Sequence, residues 1–329
     1  MRYVIFGAGA IGGAIGGRLH DAGHDVVLVA RGRHYDALAA KGLELRSPAG
    51  TVIVDVPVVD DVRAVDLGPD DVVLLTVKSN DTVAALEAVA ASTPGDVPIV
   101  CAQNGVANER AALRRFPEVY ALCVMLPAVH LEPGIVSAYG APLTGILDVG
   151  RFPGGIDAVA ERVAADLDGS GFSSRAVSNP MRLKYQKLLM NLANAFQAVC
   201  GNDPAWGDLY ARARAEAIAC YEAAGIEYAS DDEDRARRDG RMRAEPIDGQ
   251  PHSGGSSWQS LARGTGAVEA DYLNGEIALL GRLHGVPTPV NAMIQRVANR
   301  VARERRPPGS VPAAELAAAL ASERVLSDP

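Results

Sequence analysis

The run Tyr3-Val4-Ile5-Phe6-Gly7-Ala8-Gly9-Ala10-Ile11-Gly12-Gly13 constrains this chain more than any other stretch. Four apolar residues lead directly into Gly7, and apolar positions at helical spacing (Ile11, Ala14, Ile15, Leu19) follow until Gly23. That is a buried strand, a sharp turn and a helix N-terminus, with Gly7, Gly9 and Gly12 at the G-x-G-x-x-G positions of a dinucleotide-binding turn. Gly7 makes a turn that a side chain would obstruct, and Gly9 lets the backbone approach a pyrophosphate. Gly12 allows the helix to sit close to the strand, while the free N–H groups and dipole of the helix attract the anion. The whole turn, Gly7-Ala8-Gly9-Ala10-Ile11-Gly12, is therefore expected to bind a cofactor.

With 329 residues the chain has room for about two domains, each with its own core. Its 48% hydrophobic and 22% charged content is that of a soluble globular protein. A formal net charge of −8 argues against nucleic acid or an anionic membrane as the main partner, though not against a local basic site for an anionic cofactor. Cys101, Cys123, Cys200 and Cys220 are scattered, with no CxxC and no histidine cluster nearby. They read as reduced thiols of a cytoplasmic protein, not as a disulfide frame or a metal site. The apolar N-terminus has no basic region beyond Arg2 and continues at once into αβ patterning, unlike a signal peptide. No apolar run is long enough to span a bilayer.

After the first helix, Asp25–Ala30 reads as a second strand. An NAD-binding unit carries an acid at the end of this strand to hold the ribose 2′-OH. Here the residue is Arg31, followed by Gly32, Arg33 and His34. A cation there suits a 2′-phosphate and favours NADP(H) over NAD(H); the alternative is that Arg31 and Arg33 are ordinary solvated charges. Further strands are expected at Thr51–Val56, Asp71–Val77 and Pro98–Ala102, and a helix runs through Val83, Leu86 and Val89. Two of the strands end at Lys78-Ser79-Asn80 and Gln103-Asn104-Gly105. Ligands of open α/β sheets bind beyond the carboxyl ends of the strands, so Lys78 and Asn104 stand where a nicotinamide would lie, unless they only cap and turn the chain. Segments at Cys123–Leu126, Gly134–Tyr139 and Leu143–Val149 read as added strands at the sheet edge, and a helix from Gly155 to Leu167 with a strand at Ser173–Val177 closes the domain. His130, in a Pro-rich loop context, reads as a bystander.

Ser178-Asn179-Pro180 is a helix start and a domain boundary. The expected division is a Rossmann-type, doubly wound α/β domain over residues 1–178 and an all-α domain over 179–329, with substrate held between them. Strand signals vanish after the boundary, and Met181–Val199, Pro204–Ala224, Ala267–His284 and Asn291–Arg303 have helical periodicity. The acidic run from Ser230 to Asp239 reads as a solvated helix start or loop, and the tail beyond Arg305 as a short helix with a fraying end. The face of Ala267–His284 suits packing within the chain or against a second copy in a homodimer. Lys187 and Asn191 are at i, i+4 on one helix face, amid Leu188, Leu189, Met190 and Leu192. Such apolar flanks desolvate an ammonium and lower its pKa toward the range of an acid–base catalyst. Glu269 precedes a helix and can be read as a capping acid.

Taken in order, these stretches resemble the ketopantoate reductase (2-dehydropantoate 2-reductase) family. They are Gly7-Ala8-Gly9-Ala10-Ile11-Gly12, Ala30-Arg31-Gly32, Val77-Lys78, Gln103-Asn104-Gly105, Lys187-Leu188-Leu189-Met190-Asn191, Ser256-Ser257-Trp258-Gln259, Glu269-Ala270-Asp271-Tyr272-Leu273-Asn274-Gly275 and His284-Gly285-Val286-Pro287-Thr288-Pro289-Val290-Asn291. The resemblance implies NADPH as cofactor and reduction of a small 2-keto acid to a 2-hydroxy acid, with ketopantoate to pantoate as the family reaction. It implies Lys187 as general acid and Glu269 as an aid to substrate binding and catalysis. Asn104, Asn191 and Ser257 would bind substrate or line its site, Lys78 would lie beside cofactor and substrate carboxylate, and Arg31 would meet the 2′-phosphate. Three positions depart from the family pattern: Ala195-Phe196 replaces an Asn-Pro, with Asn194 one step early; Val268 replaces a Thr; and Trp258 replaces a Met. All three concern the substrate side, which admits a different branched 2-keto acid as substrate or, if chemistry has been lost, an NADP(H)-binding sensor.

Overall fold

Unbroken apolar runs become strands of a parallel sheet, because a strand covered on both faces has no solvent side on which polar residues can alternate. The computed structural model describes residues 1–93 and 95–327. Numbering strands in chain order, the main sheet contains β1 (Arg2–Phe6), β2 (Asp25–Val29), β5 (Val58–Val59), β6 (Asp71–Leu75), β7 (Ile99–Cys101), β8 (Val119–Met125) and β12 (Ile146–Arg151). A second sheet holds β3 (Leu43–Ser47), β4 (Gly50–Val54), β9 (Ala128–Val129) and β10 (Ile135–Ala138), and β11 (Gly140–Pro142) forms a ribbon with β13 (Met242–Ala244).

The main sheet has the order β12-β8-β7-β6-β1-β2-β5, parallel throughout except for β12, which runs antiparallel to β8. Without that last edge strand this is the doubly wound order 3-2-1-4-5-6 of dinucleotide-binding folds. Successive side chains point to opposite faces. Tyr3, Ile5 and Leu28 pack with Ile15 of α1 (Ala10–Asp21) and Val163 of α5 (Ala158–Asp168). On the other face Val4, Phe6 and Val73 pack with Leu86 and Val89 of α3 (Thr82–Ala90) and Ala112 of α4 (Asn108–Leu113). The link after β2 is α2 (Gly32–Lys41).

Several expectations are corrected. The strand expected at Thr51–Val56 is present as β4, in the second sheet and antiparallel to β3, whereas the Gly134–Tyr139 segment joins that second sheet rather than the edge of the main one. Ser173–Val177 contributes only the isolated bridges Ile146–Ser173 and Val149–Ala176. Nor do strands cease after residue 178, since β13 pairs with β11.

Two compact units result: Met1–Lys184 together with Ala229–Ser253, and Tyr185–Tyr228 together with the chain from Gly254 on. The segment 229–253 returns to the first unit, across the boundary expected at 178/179, for identifiable reasons. Arg237 of α9 (Asp231–Arg238) grips buried Asp148 of β12 with two hydrogen bonds of 2.8 and 2.6 Å, and the β11–β13 ribbon follows. Ser230 and Glu233 form a capping box that starts α9, so the acidic run is a helix start.

Among its described residues the second unit is helical: α7 (Ala193–Cys200), α8 (Gly207–Ala224), α10 (Ser256–Ala262), α11 (Asn274–His284), α12 (Pro289–Arg303) and α13 (Ala313–Ser327), together with the end of α6 (Pro180–Asn191). Phe196, Val199, Leu209, Met293, Ile294 and Val301 lie in its core. The single helix expected over Met181–Val199 breaks at Leu192, whose carbonyl accepts the Asn274 amide at 3.4 Å. Glu216 accepts the backbone N–H groups of Val290 and Asn291 at 2.9 and 3.0 Å, closing the open start of α12. Among the described residues no helix is long and apolar enough to cross a membrane, and the four cysteines are buried, with no disulfide among them.

Candidate active site

Parallel strands deliver their C-terminal ends to one edge of the sheet, and the order β7-β6-β1-β2 fixes what stands side by side there. In sequence across that edge come Asn104 after β7, Lys78 after β6, the glycine turn after β1 and Arg31 after β2. These expected cofactor-side positions are thus brought together within the first unit.

The turn has the features an anion cradle needs. Gly7 has φ +112°, and a Cβ there would lie 2.8 Å from Val77. At Gly12 a Cβ would lie 2.3 Å from the Gly7 carbonyl and 2.5 Å from Thr76 Oγ1, so only glycine lets α1 approach β1 this closely. A Cβ at Gly9 would meet nothing within 4 Å, which leaves open space beside the backbone. The first turn of α1 has no acidic residue, and Ala10, Ile11 and Gly12 precede the first intrahelical donor, Gly13. A pyrophosphate fits this donor set. Arg31 and Arg33 are exposed, and neither enters an ion pair among the described residues.

The ends of β6 and β7 are joined by a buried polar network that the sequence pattern does not reveal. Gln103 Nε2 donates to the Val77 carbonyl and to Thr82 Oγ1, both at 2.8 Å. Asn108 Nδ2 donates to Ser79 Oγ at 3.2 Å and to the Asn104 carbonyl at 3.1 Å, while the Thr82 hydroxyl donates to Asn108 Oδ1 at 2.8 Å. The available signal was weak: Asn108 lies four residues after Asn104, and Ser79 directly follows Lys78. Lys184, buried with Glu109, donates to the Gln103 carbonyl at 3.0 Å. At the end of β7, burial pushes the Cys101 thiol well up, and the Glu109 charge adds to this. His130 meets the Ile135 carbonyl through Nδ1 and packs its ring 4.2 Å from that of His34.

The second unit holds the other expected residues. Lys187 is half-buried on α6, followed by fully buried Leu188 and Leu189. Asn191, one turn on, is buried and its Oδ1 has no hydrogen-bond partner. Ser257, in the first turn of α10, is also buried, with its Oγ unpaired. Buried polar atoms left without partners are exceptional, and a bound polar ligand is one way of completing them. Glu269 is 5% exposed and precedes the turn Ala270–Tyr272, yet its side chain makes no capping hydrogen bond. Of the departing positions, Ala195 and Val268 belong to the hydrophobic core and Trp258 packs against it. Asn194 lies so close to α10 that a Cβ on Gly255 would be 2.8 Å from its Oδ1.

Residues 3–154 match the family model of ketopantoate reductase PanE/ApbA, and residues 179–302 match that of its C-terminal part. A 2-dehydropantoate 2-reductase of Archaeoglobus fulgidus is 30% identical over 308 residues, covering 88% of this chain and 94% of that protein. The chain belongs to the ketopantoate reductase family of oxidoreductases. A 2-dehydropantoate 2-reductase of Pyrococcus horikoshii is 31% identical over 196 residues, a match spanning 59% of this chain and 62% of that relative's length. The crystal structure of a PanE/ApbA family ketopantoate reductase from Ralstonia eutropha JMP134 superimposes with a TM-score of 0.77 at 28% identity, covering 93% of this chain and 99% of that one. D-mandelate dehydrogenase, solved with NADH and anilino(oxo)acetate, has the same fold: TM-score 0.79, 22% identity, and coverage of 93% and 99%.

Proposed function

We propose that this protein is an NADPH-dependent 2-keto acid reductase of the cytoplasm that converts ketopantoate, or a closely related branched 2-keto acid, to the 2-hydroxy acid. The observation carrying this reading is the alignment of Asn104, Lys78, the glycine turn and Arg31 on four neighbouring strand ends. Gly7–Gly12 would hold the pyrophosphate, and Arg31 with Arg33 the 2′-phosphate. When bound, the reduced nicotinamide supplies the hydride. Lys78 offers a cation to the substrate carboxylate, and Asn104 an amide to the reacting end of the substrate. Asn191 and Ser257 bring the unpaired oxygens expected of groups that complete their hydrogen bonding on a polar substrate. As negative charge develops on the carbonyl oxygen, the Lys187 ammonium stabilises it and delivers the proton that completes the hydroxyl. Glu269, a buried acid without a capping role, assists in holding the substrate.

The departures from the family pattern at Asn194–Ala195, Trp258 and Val268 admit a branched 2-keto acid other than ketopantoate. Spectrophotometric NADPH oxidation with ketopantoate and a panel of branched 2-keto acids tests the proposal. Turnover with at least one is expected; none with any would overturn it.

A further inference from the structure

Among the described residues of the first unit, Lys184 and Glu109 are the most deeply buried ion pair, 3% and 0% exposed at their side chains, and the chemistry just described does not use them. The Lys184 ammonium also donates to the Gln103 carbonyl at 3.0 Å. This carbonyl belongs to the residue before Asn104. On the other side, the Asn104 carbonyl accepts the Asn108 amide, and Gly105 turns away with φ +80°. The backbone that presents Asn104 is thus gripped from both ends, and the Lys184 ammonium is one of the grips.

A buried ion pair is a poor way of gaining stability, because apolar side chains of similar volume often serve equally well. What apolar side chains cannot do is donate to a carbonyl. Lys184 is also on α6, one helix turn before Lys187, so the same ammonium ties the start of that helix to the end of β7. We propose that Lys184, paired with Glu109, is a positioning residue for the reduction: it fixes the Gln103 carbonyl so that Asn104 is presented in one orientation. The inference rests on the reductase reading for its kinetic consequence, but not for its structural one.

The test is the paired replacement K184M/E109L, which removes both charges together and avoids stranding either one in the interior. Hydrogen exchange at the amides of residues 103–108, measured on the protein without ligand, is expected to quicken at least tenfold. Unchanged exchange in a folded variant overturns the inference whatever the enzyme does. In turnover, kcat for the 2-keto acid is expected to fall on the order of 10²-fold, the cost of misplacing a group by about 1 Å. KM for NADPH should stay within about twofold, since the glycine turn is untouched. In an N104A background the same pair of replacements should add little further loss. A drop in kcat that adds in full to that of N104A means that Lys184 acts elsewhere, and the inference falls. Should the wild-type protein reduce no 2-keto acid, the reductase reading fails, while the exchange measurement still decides whether the pair holds the Asn104 backbone.

Discussion

His34 Nε2 lies 2.7 Å from the Ala8 carbonyl, inside the glycine turn, while its Nδ1 lies 2.9 Å from the Gly134 backbone nitrogen. A backbone N–H can only donate, so Nδ1 is the acceptor and the proton is on Nε2, where it is donated to Ala8. One imidazole thereby staples the cofactor turn to the loop that opens β10. His34→Ala should loosen the turn by about one neutral hydrogen bond, roughly 1 kcal/mol, and so weaken NADPH binding about fivefold. Fluorescence titration with NADPH measures it. An unchanged dissociation constant would show that Ala8 needs no such support.

Lys187→Ala should lower kcat by about 10²- to 10⁴-fold, the usual contribution of a positioned acid. The dissociation constant for NADPH should hardly move, because the cofactor features described above belong to the first unit. Single-turnover rates set beside a cofactor titration separate the two effects. Retained turnover would remove Lys187 from its role.

Arg31 and Arg33 are exposed and enter no ion pair among the described residues, so a 2′-phosphate need not displace a carboxylate to reach them. Arg31→Ala should therefore cost affinity for NADPH by about 10- to 100-fold, the worth of a charge-assisted contact, and leave NADH almost unaffected. Steady-state KM values for both cofactors provide the measurement. Equal losses for the two would mean that Arg31 does not read the 2′ position.

The sequence was most legible where one physical cause dominates. Asp71–Leu75 is buried on both faces, so its apolar run could hardly be anything but an internal strand. The glycine turn was legible because Gly7 and Gly12 are required by a positive φ and by a close approach, both local needs. By contrast β3, Leu-Glu-Leu-Arg-Ser, is short and half polar, and its partners β4 and β10 are respectively adjacent and distant in sequence, so β3 itself left little trace. For β13 there was less still: Met-Arg-Ala shows no apolar alternation and gains its strand form from β11. The Lys184–Glu109 pair spans 75 positions of sequence. Composition and periodicity see a solvated lysine and a solvated glutamate there, and only the fold shows that both are buried. Likewise His34 is by sequence one more polar residue after Arg33, and only the fold sets Gly134 beside it.

Asp157 provides a prediction that depends on pH and not on catalysis. Its carboxylate caps α5 by accepting the Ala160 N–H at 3.0 Å, and it also accepts from Arg151 at 2.6 Å and from the Tyr120 hydroxyl at 2.9 Å. Burial alone would push this carboxyl up, but the Ala160 N–H, Arg151 and Tyr120 together outweigh it and hold it below the ordinary aspartate value. Because the folded form binds its proton less readily than the unfolded chain, the carboxylate stabilises the fold above the unfolded value of about 4. That contribution is lost as pH falls from there through the lower folded value. Asp157→Ala should thus cost about 1 kcal/mol of unfolding free energy at pH 7, the usual worth of a helix cap. The gap between variant and wild type should narrow steadily below about pH 4. Urea denaturation of both proteins at pH 7 and near pH 3 compares them directly. A gap of the same size at both pH values would show that Asp157 acts through its shape and not through its charge.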